Sequence, residues 1–220
     1  MTSSLVGSEM CIRDRYKKRA DLIAEIFPGF KVIDALSDIE FFDKGAVKYP
    51  IPSEDHVEDF VGKVDEFWTY YCCGQHNKNV PNRFFAMPSA RNRILGTLLY
   101  KYNATGFLQW GYNYWYSQFS KHEIDPFTVT DAGKAFPSGD AFVVYPGEDG
   151  QPINSLRFKV FYDGLQDLAA MRLLESLVGR EKALEIAIQD DELTFQKYPH
   201  GSSYLLALRE RVNKAIKENI

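Results

Sequence analysis

Short apolar runs alternate with helical patterns along most of the chain, and this alternation constrains the fold more than any other feature of the sequence. The predicted strands cover residues 31–36, 46–50, 63–73, 106–115 and 141–145. Apolar residues at helical spacing separate several of these runs and continue to the end of the chain. Strands that are separated by helices favour parallel βα units, so the sequence predicts an α/β fold.

The clearest helical pattern begins near Leu156. Its apolar residues form one stripe, which consists of Phe161, Leu165, Leu168, Met171, Leu174 and Val178. Gly179 follows the stripe where a C-cap is expected. Further helices are predicted over residues 16–27, 54–62, 180–190 and 203–218 and from Ser89 onward.

About five predicted strands are too few for a closed eight-stranded barrel. No linker rich in Pro, Gly or Ser divides the 220 residues, and no internal repeat is evident. The sequence therefore predicts a single truncated domain. We expect the C-terminal part of a (β/α)₈ TIM-like barrel, followed by C-terminal helices.

Residues 1–15, MTSSLVGSEMCIRDR, do not fit this pattern. They lack the apolar segment and the cleavage site of a signal peptide. The stretch LVGSEMCIRDR resembles a sequence that recurs when sequencing-adapter DNA is translated in frame. We expect residues 1–15 to be a non-native leader, with a disordered native leader as the alternative. Residues 16–220 are then the C-terminal portion of one domain whose native start lies upstream.

Composition excludes several classes of partner. The net charge is -4, and no segment concentrates Lys and Arg, so we expect no nucleic-acid partner. No apolar run approaches the roughly 20 residues of a membrane helix. Cys72 and Cys73 are adjacent, which disfavours a disulfide between them, and Cys11 is far away. No Cys or His spacing is typical of a zinc site, so no metal or organic cofactor is expected.

Aromatic residues are unusually frequent, with 16 Phe, 13 Tyr and 3 Trp. They cluster in residues 67–71 and 110–116, near the ends of two predicted strands, and long loops follow each cluster. Functional residues of βα barrels lie at the carboxyl ends of the strands. Aromatic rings pack against the apolar face of a pyranose, and amide and carboxylate groups bind its hydroxyls. The pattern is typical of a carbohydrate site, although a ring-rich core would have the same composition.

Several motifs occur in the order and spacing of a known catalytic domain. The longest is PNRFFAMPSARNRILGTLLYKYNATGFLQWGYNYW (81–115). FPSGDAFVVYPGEDG (136–150) and SLRFKVFYDGLQDLAAMRLLE (155–175) follow it. From residue 16 to the C-terminus, the chain resembles the catalytic domain related to glycoside hydrolase family 123.

The resemblance implies a (β/α)₈ barrel that hydrolyses glycosides of N-acetylated β-hexosamines, chiefly N-acetylgalactosamine. In that family the acetamido oxygen of the substrate attacks the anomeric carbon with retention, which is an exception to the two-carboxylate scheme. An Asp orients the acetamido group, and the adjacent Glu is the general acid. The family's Asp-Glu pair ends a strand upstream of the segment that resembles residues 26–36 of this chain.

No catalytic residue is assigned to this chain, because none of its acidic pairs stands in the expected place. Asp191-Glu192 lies between C-terminal helices, and Asp65-Glu66 lies at the start of a strand. Ser53-Glu54-Asp55 is typical of a helix start. We expect the catalytic pair to be missing and the chain alone to be inactive.

The resemblance implies a glycan partner that binds at the aromatic strand ends. The predicted substrate-binding residues are Trp68, Tyr70, Trp110, Tyr112, Asn113 and Trp115. Trp110 is the best candidate for the ring beneath the sugar, and Asn113 is a candidate for binding a hydroxyl. Gln109 stands where some relatives have a basic residue.

Other polar residues have simpler explanations. Arg91, Asn92 and Arg93 are expected to cap or brace the loop before their helix, with a substrate contact as the alternative. Asp140 is expected to shape a turn, with a ligand role as the alternative. Arg157, Asp163 and Asp167 are expected to form pairs along or across their helix.

Two alternatives to a glycosidase remain open. One is a non-catalytic carbohydrate-binding module that uses the same rings. The other is a structural domain in which Trp68, Trp110 and Trp115 are all buried.

Overall fold

The computed structural model describes residues 3–189 and 192–220, with side chains from Ile12 to Gln189 and from Glu192 onward. Its helices and strands follow in this order: α1 (Ser3–Ile26), β1 (Ile33–Ala35), α2 (Ile39–Asp43), β2 (Tyr49–Ile51), β3 (Trp68–Tyr71), α3 (Ala90–Arg93), α4 (Leu95–Lys101), β4 (Gly106–Gln109), β5 (Val144–Pro146), β6 (Pro152–Asn154), α5 (Leu156–Val178), α6 (Arg180–Ala187) and α7 (Ser202–Glu218). Short 3₁₀ turns cover Glu54–Asp59, Cys73–Gln75 and Gln118–Ser120.

The first four strands are parallel and adjoin one another in chain order. β1 pairs with β2, and β3 pairs with β4. An isolated parallel bridge between Ser53 and Tyr70 joins the two pairs, and the Tyr70 N–H donates to the Pro52 carbonyl at 3.1 Å. The predicted mixed α/β fold is confirmed. Within the described residues the strands do not close into a barrel, and a truncated (β/α)₈ barrel stays a prediction.

The last two strands differ from the predicted parallel arrangement. β5 and β6 form an antiparallel hairpin in which Tyr145 pairs with Ile153. The turn between them contains Gly150 at a φ of 77°, a backbone conformation that glycine adopts without steric cost. The expectation of parallel units was therefore wrong for this part of the chain, because a tight turn rather than a helix connects the two strands.

The strands are shorter than predicted. The strand expected over residues 106–115 ends at Gln109, since Gly111 has a φ of 64°. A Cβ atom on Gly111 would lie 2.4 Å from the Asp140 carbonyl oxygen, so a close approach of two loops ends the strand here. The helix expected over residues 54–62 is the 3₁₀ turn Glu54–Asp59, and Ser53 makes no capping hydrogen bond to it.

The hydrophobic core lies between the helix-facing side of β3 and β4 and helices α3 to α7. Helices α4 and α5 cross closely at two glycines. A Cβ atom on Gly96 would lie 1.8 Å from the Gly164 carbonyl oxygen, so neither helix tolerates a side chain at the crossing. Helix α7 completes the layer with an apolar stripe of Leu205, Leu208 and Val212.

The predicted long helix is confirmed as α5. The Ser155 hydroxyl accepts a hydrogen bond from the Phe158 N–H at 3.2 Å and caps the helix start. Gly179 ends the helix at a φ of 81°, as the sequence predicted. The first turn of α5 lies against the loops that follow the strands, where Arg157 binds the carbonyls of Gly139 and Phe142. The helix therefore supports the loop after β4.

A buried carboxylate ties three helices together. Asp167 of α5 has no solvent exposure. Its Oδ2 accepts from Arg93 Nε of α3 at 2.7 Å, and its Oδ1 accepts from Arg209 Nη1 of α7 at 3.0 Å. Asp167 forms ion pairs, as predicted, but its partners lie on two other helices and not along its own.

Helix α1 runs without a break through the boundary predicted between residues 15 and 16. The hydroxyl of Tyr16 donates to the Asp34 carboxylate beside β1, and the Tyr16 ring packs edge-on against Phe41 at 5.3 Å. The division of the chain into residues 1–15 and 16–220 stays a prediction.

We expect Asp167→Ala to lower the free energy of unfolding by about 3 kcal/mol, because it leaves Arg93 and Arg209 without their buried acceptor. Asp163→Ala on the same helix is the matched control, since Asp163 is exposed, and it should change stability by less than about 0.5 kcal/mol. Urea unfolding of both variants measures the difference. Equal stabilities would show that the three-helix link contributes nothing.

Candidate functional site

The carboxyl ends of the four parallel strands meet at one edge of the fold. β1 ends at Ala35, β2 at Ile51, β3 at Tyr71 and β4 at Gln109. In open parallel sheets and in βα barrels, ligands bind beyond this edge. The residues that follow each strand are therefore the candidates for a functional site.

Side chains of β3 and β4 alternate between two faces. On the helix side, the rings of Tyr71 and Phe107 pack edge-on at 4.9 Å, and the Tyr71 hydroxyl donates to Gln109 Oε1 at 3.0 Å. The opposite side carries Trp68, Tyr70 and Leu108, each half-buried. We call this second side the open face, because no helix of the core covers it.

Trp110 directly follows β4, two residues beyond Leu108, and continues the open face. Its indole Nε1–H donates to Asp140 Oδ2 at 2.7 Å. The rings of Tyr114 and Phe136 lie 5.5 and 5.9 Å from the Trp110 ring. Trp110 is half-buried, so one hydrogen bond and two ring contacts fix an indole that still reaches solvent.

A buried ion pair lies behind Trp110. Arg83 is 1% exposed and Asp140 is fully buried, and Arg83 Nη1 donates to Asp140 Oδ1 at 3.2 Å. Arg83 Nη2 donates to the Trp110 carbonyl at 2.6 Å. Burial raises the pKa of Asp140, while the Arg83 guanidinium and the Trp110 hydrogen bond oppose the rise. The pair therefore fixes both the main chain and the indole of Trp110.

Arg157 organises the neighbouring loops. Its guanidinium donates to the carbonyls of Arg83, Gly139 and Phe142, the last at 2.7 Å. Burial lowers the pKa of Arg157 to about 10. The predicted pairing of Arg157 with acidic residues of its own helix was wrong, because the side chain leaves the helix and binds loop carbonyls instead.

Glu54 is buried close to this network. It follows β2 and is 1% exposed, and in the described part of the chain neither carboxyl oxygen has a hydrogen-bond partner. Burial raises its pKa well above the ordinary value of 4.5, against the opposing effects of Arg83 and Arg91. The charge of Glu54 contributes to the raised pKa of Tyr71 and of Tyr198. Both tyrosines belong to the core, so Glu54 lies on the helix side.

The structure groups only some of the predicted site residues. Tyr70 and Trp110 lie near the carboxyl edge of the open face. Trp68 lies on the same face but begins β3 rather than ending it, so its predicted position was wrong. Its indole covers Gly106 at the amino end of β4, where an added Cβ would lie 2.1 Å from the ring. The run of aromatic residues made the predicted strand longer than β3, so the prediction did not place Trp68 at the start of the strand.

The remaining predicted residues lie in the loop after β4. Tyr112 turns to the helix side, where its ring packs edge-on against Phe158 at 5.9 Å. Asn113 is exposed and forms an antiparallel bridge with Phe142. The Trp115 indole donates to the Val144 carbonyl at 3.0 Å. These three residues therefore do not share one surface with Trp110.

Tyr112 also lines a cavity of about 210 Å³ on the helix side. Gln109 lies in the same cavity wall rather than on the open face, and its amide donates to the Trp110 carbonyl at 2.6 Å. The cavity is smaller than the roughly 300–1,000 Å³ typical of sites for drug-sized ligands. Four of its nine lining residues are aromatic and four are polar or charged, and the cavity belongs to the packing behind Trp110.

Two residues of the site were not identified as functional from the sequence. Arg83 was part of a motif without any assigned role, and Asp140 was expected to shape a turn, with a ligand role as the alternative. The Pro-Ser-Gly-Asp turn at residues 137–140 does place Asp140. Its partner Arg83 lies 57 residues away, so no local pattern connects them. The predicted bracing of the preceding loop is confirmed for Arg91, which donates to the Val80 carbonyl, whereas Asn92 and Arg93 bind α5 instead.

All three tryptophans are half-buried, which differs from the full burial expected of a structural domain. In the described part of the chain, no three His, Cys, Asp or Glu side chains are grouped in a way that would hold a metal ion. None of the described helices combines the length and the apolar character required to span a bilayer. Asp191 lies outside the described residues, so the structure says nothing of the Asp191-Glu192 pair.

Comparison with known proteins identifies a family. A family model described as "Glycoside hydrolase 123, catalytic domain" matches residues 8–174. The match includes all four parallel strands, the Arg83–Asp140 pair and most of α5. No curated protein matches the chain.

We expect Glu54→Gln to stabilise the protein increasingly as the pH rises. A carboxyl whose folded pKa is raised contributes its full stability below its unfolded pKa and loses that contribution as the pH approaches the folded pKa. The gap between variant and wild type should therefore open above about pH 4.5 and widen by at most about 1.4 kcal/mol per pH unit. Urea unfolding between pH 4 and pH 8 measures it, and a constant gap would contradict burial of a neutral carboxyl.

We expect Asp140→Asn to destabilise the protein by about 3 kcal/mol, because it leaves the buried Arg83 without its anion. Trp110→Phe removes only the indole hydrogen bond and should cost about 1–2 kcal/mol. Thermal and urea unfolding of the two variants compare these losses. A larger loss in Trp110→Phe than in Asp140→Asn would show that the ion pair does not organise the site.

Proposed function

The chain belongs to the glycoside hydrolase 123 family, and from that membership we propose that its open face binds an N-acetylated β-hexosaminide during hydrolysis. One observation supports this most directly: Trp110 lies at the carboxyl edge of parallel strands, with its indole held at 2.7 Å by a buried carboxylate. A sugar ring that packs on an aromatic side chain gains most when that side chain is already fixed, because little entropy is lost on binding.

The proposed reaction is substrate-assisted hydrolysis with retention. The acetamido oxygen attacks the anomeric carbon, and the leaving group receives a proton from a carboxylic acid. Trp110 and Tyr70 orient the sugar. The other predicted residues, Trp68, Tyr112, Asn113 and Trp115, lie apart from this part of the open face and are candidates for contacts with further units of a longer glycan. Water then opens the cyclic intermediate and restores the acetamido group.

We propose that the general acid and the residue that orients the acetamido group lie outside this sequence. Asp65 and Glu66 precede β3 at the amino edge, and Glu66 pairs with Lys31. Glu54 has the raised pKa of an acid but is buried on the helix side. Asp140 uses both carboxylate oxygens to hold Arg83 and Trp110. The chain alone therefore binds sugar without cleaving it.

The experiment is calorimetric titration of the chain with methyl N-acetyl-β-galactosaminide and its gluco epimer. Trp110→Ala should weaken binding by at least about tenfold, which corresponds to about 1.4 kcal/mol and is within the range for an aromatic contact. Phe119→Ala is the control, because Phe119 is 77% exposed in the loop after β4 and should leave binding unchanged.

Two results would contradict the proposal. Equal binding by wild type and Trp110→Ala would remove the sugar from the open face. Release of methanol from methyl N-acetyl-β-galactosaminide by the chain alone would place the general acid within this sequence, because an alcohol leaves only when it is protonated. Equal binding of methyl β-galactoside, which lacks the acetamido group, would favour the carbohydrate-binding module, which uses the same exposed rings without catalysis.

A further inference from the structure

Hydroxyl groups form a row at the carboxyl edge of β1, β2 and β3. Ser37 and Ser53 each lie two residues beyond paired strand residues, and their Oγ atoms are 3.0 Å apart. Ser53 in turn pairs with Tyr70 across the parallel bridge. Burial raises the pKa of the Tyr70 hydroxyl, and a hydrogen bond with Ser37 opposes the rise. The row therefore lies on the open face, beside Tyr70.

Asp55 stands at the end of this row. Its Oδ1 accepts a hydrogen bond from Ser53 Oγ at 2.7 Å. Ser53 and Leu108 both pair with Tyr70. Asp55 stands in the turn just beyond Ser53 and Trp110 lies just beyond Leu108, so both residues lie past the carboxyl edge, on opposite sides of β3. The hydroxyls thus form a continuous chain of donors that ends on a carboxylate.

The Asp55 carboxylate is largely covered and has few partners. Its side chain is only 11% exposed. Among residues 3–189 and 192–220, no Lys or Arg lies within ion-pair distance of it, and Oδ2 is near only the His56 imidazole, at 3.7 Å. A carboxylate with one oxygen held by a hydroxyl and the other without a hydrogen-bond donor can accept a further hydrogen bond from a ligand.

We propose that Asp55 is a substrate-binding residue whose Oδ2 accepts a hydrogen bond from a hydroxyl of the sugar that packs on Trp110. The inference rests on the proposed function of the open face and names a specificity residue within it. A hydroxyl fits better than a metal ion, since no third carboxylate, thiol or imidazole of the described chain joins Asp55 and His56. Ser53 orients the carboxylate, and Tyr70 lies between it and Trp110.

The test compares Asp55→Asn with Asp59→Asn in the titration with methyl N-acetyl-β-galactosaminide. Asp55→Asn keeps the size of the side chain but replaces a charge-assisted hydrogen bond by a neutral one, so binding should weaken about 10- to 100-fold. Asp59 is an exposed residue of the same 3₁₀ turn. Its variant makes the same change of charge and should bind like wild type.

A second measurement needs no variant. Wild type is titrated with the methyl glycosides that lack the 3-, 4- or 6-hydroxyl. One of the three should bind at least about tenfold more weakly than the parent, since it no longer donates to the carboxylate. That glycoside should also bind wild type and Asp55→Asn equally, because both then lack the same contact.

The outcomes separate this inference from the proposed function. If wild type binds the parent sugar and Trp110→Ala does not, but all three deoxy glycosides bind like the parent, the role of Asp55 is overturned and the sugar site remains. Equal binding by Asp55→Asn and wild type has the same meaning. If folded wild type binds none of the sugars, the proposed function fails and the role of Asp55 fails with it.

Discussion

The ion pair between Arg83 and Asp140 joins the loops that follow β3 and β4 beyond the carboxyl edge of the strands. Arg83 belongs to the loop after β3, Asp140 belongs to the loop after β4, and both side chains are removed from water. A buried pair is stable only when further hydrogen bonds satisfy both charges. Here the indole and the carbonyl of Trp110 supply two of them. The cost of burying the charges is thus offset by contacts that also fix the candidate sugar platform.

The helix side supplies the rigidity on which this arrangement depends. Asp167 links α3, α5 and α7, and the glycine crossing of α4 and α5 leaves no room for the helices to slide. The first turn of α5 then carries Arg157 to three loop carbonyls. The loops have few helical or strand hydrogen bonds of their own. Guanidinium groups therefore hold them in place by binding their carbonyls.

The sequence predicted those parts that depend on neighbouring residues. Helix α5 and its Gly179 cap follow from local spacing, and both are present. The parts that failed depend on distant contacts. The end of β4 is set by the close approach of Gly111 to the Asp140 main chain, and the pairing of Arg83 with Asp140 spans 57 residues. Neither leaves a periodic signal in the sequence.

If the chain holds a sugar without cleaving it, as we propose, the positions of its carboxyl groups supply the reason. A general acid must keep its proton near neutral pH and must also touch the leaving group. Glu54 meets the first condition, since burial raises its pKa, but it lies behind the sheet. Asp140 is engaged on both oxygens. Ser53 donates to one oxygen of Asp55. In the role that we propose for Asp55, the other oxygen accepts a hydrogen bond from a sugar hydroxyl and donates no proton to the leaving group.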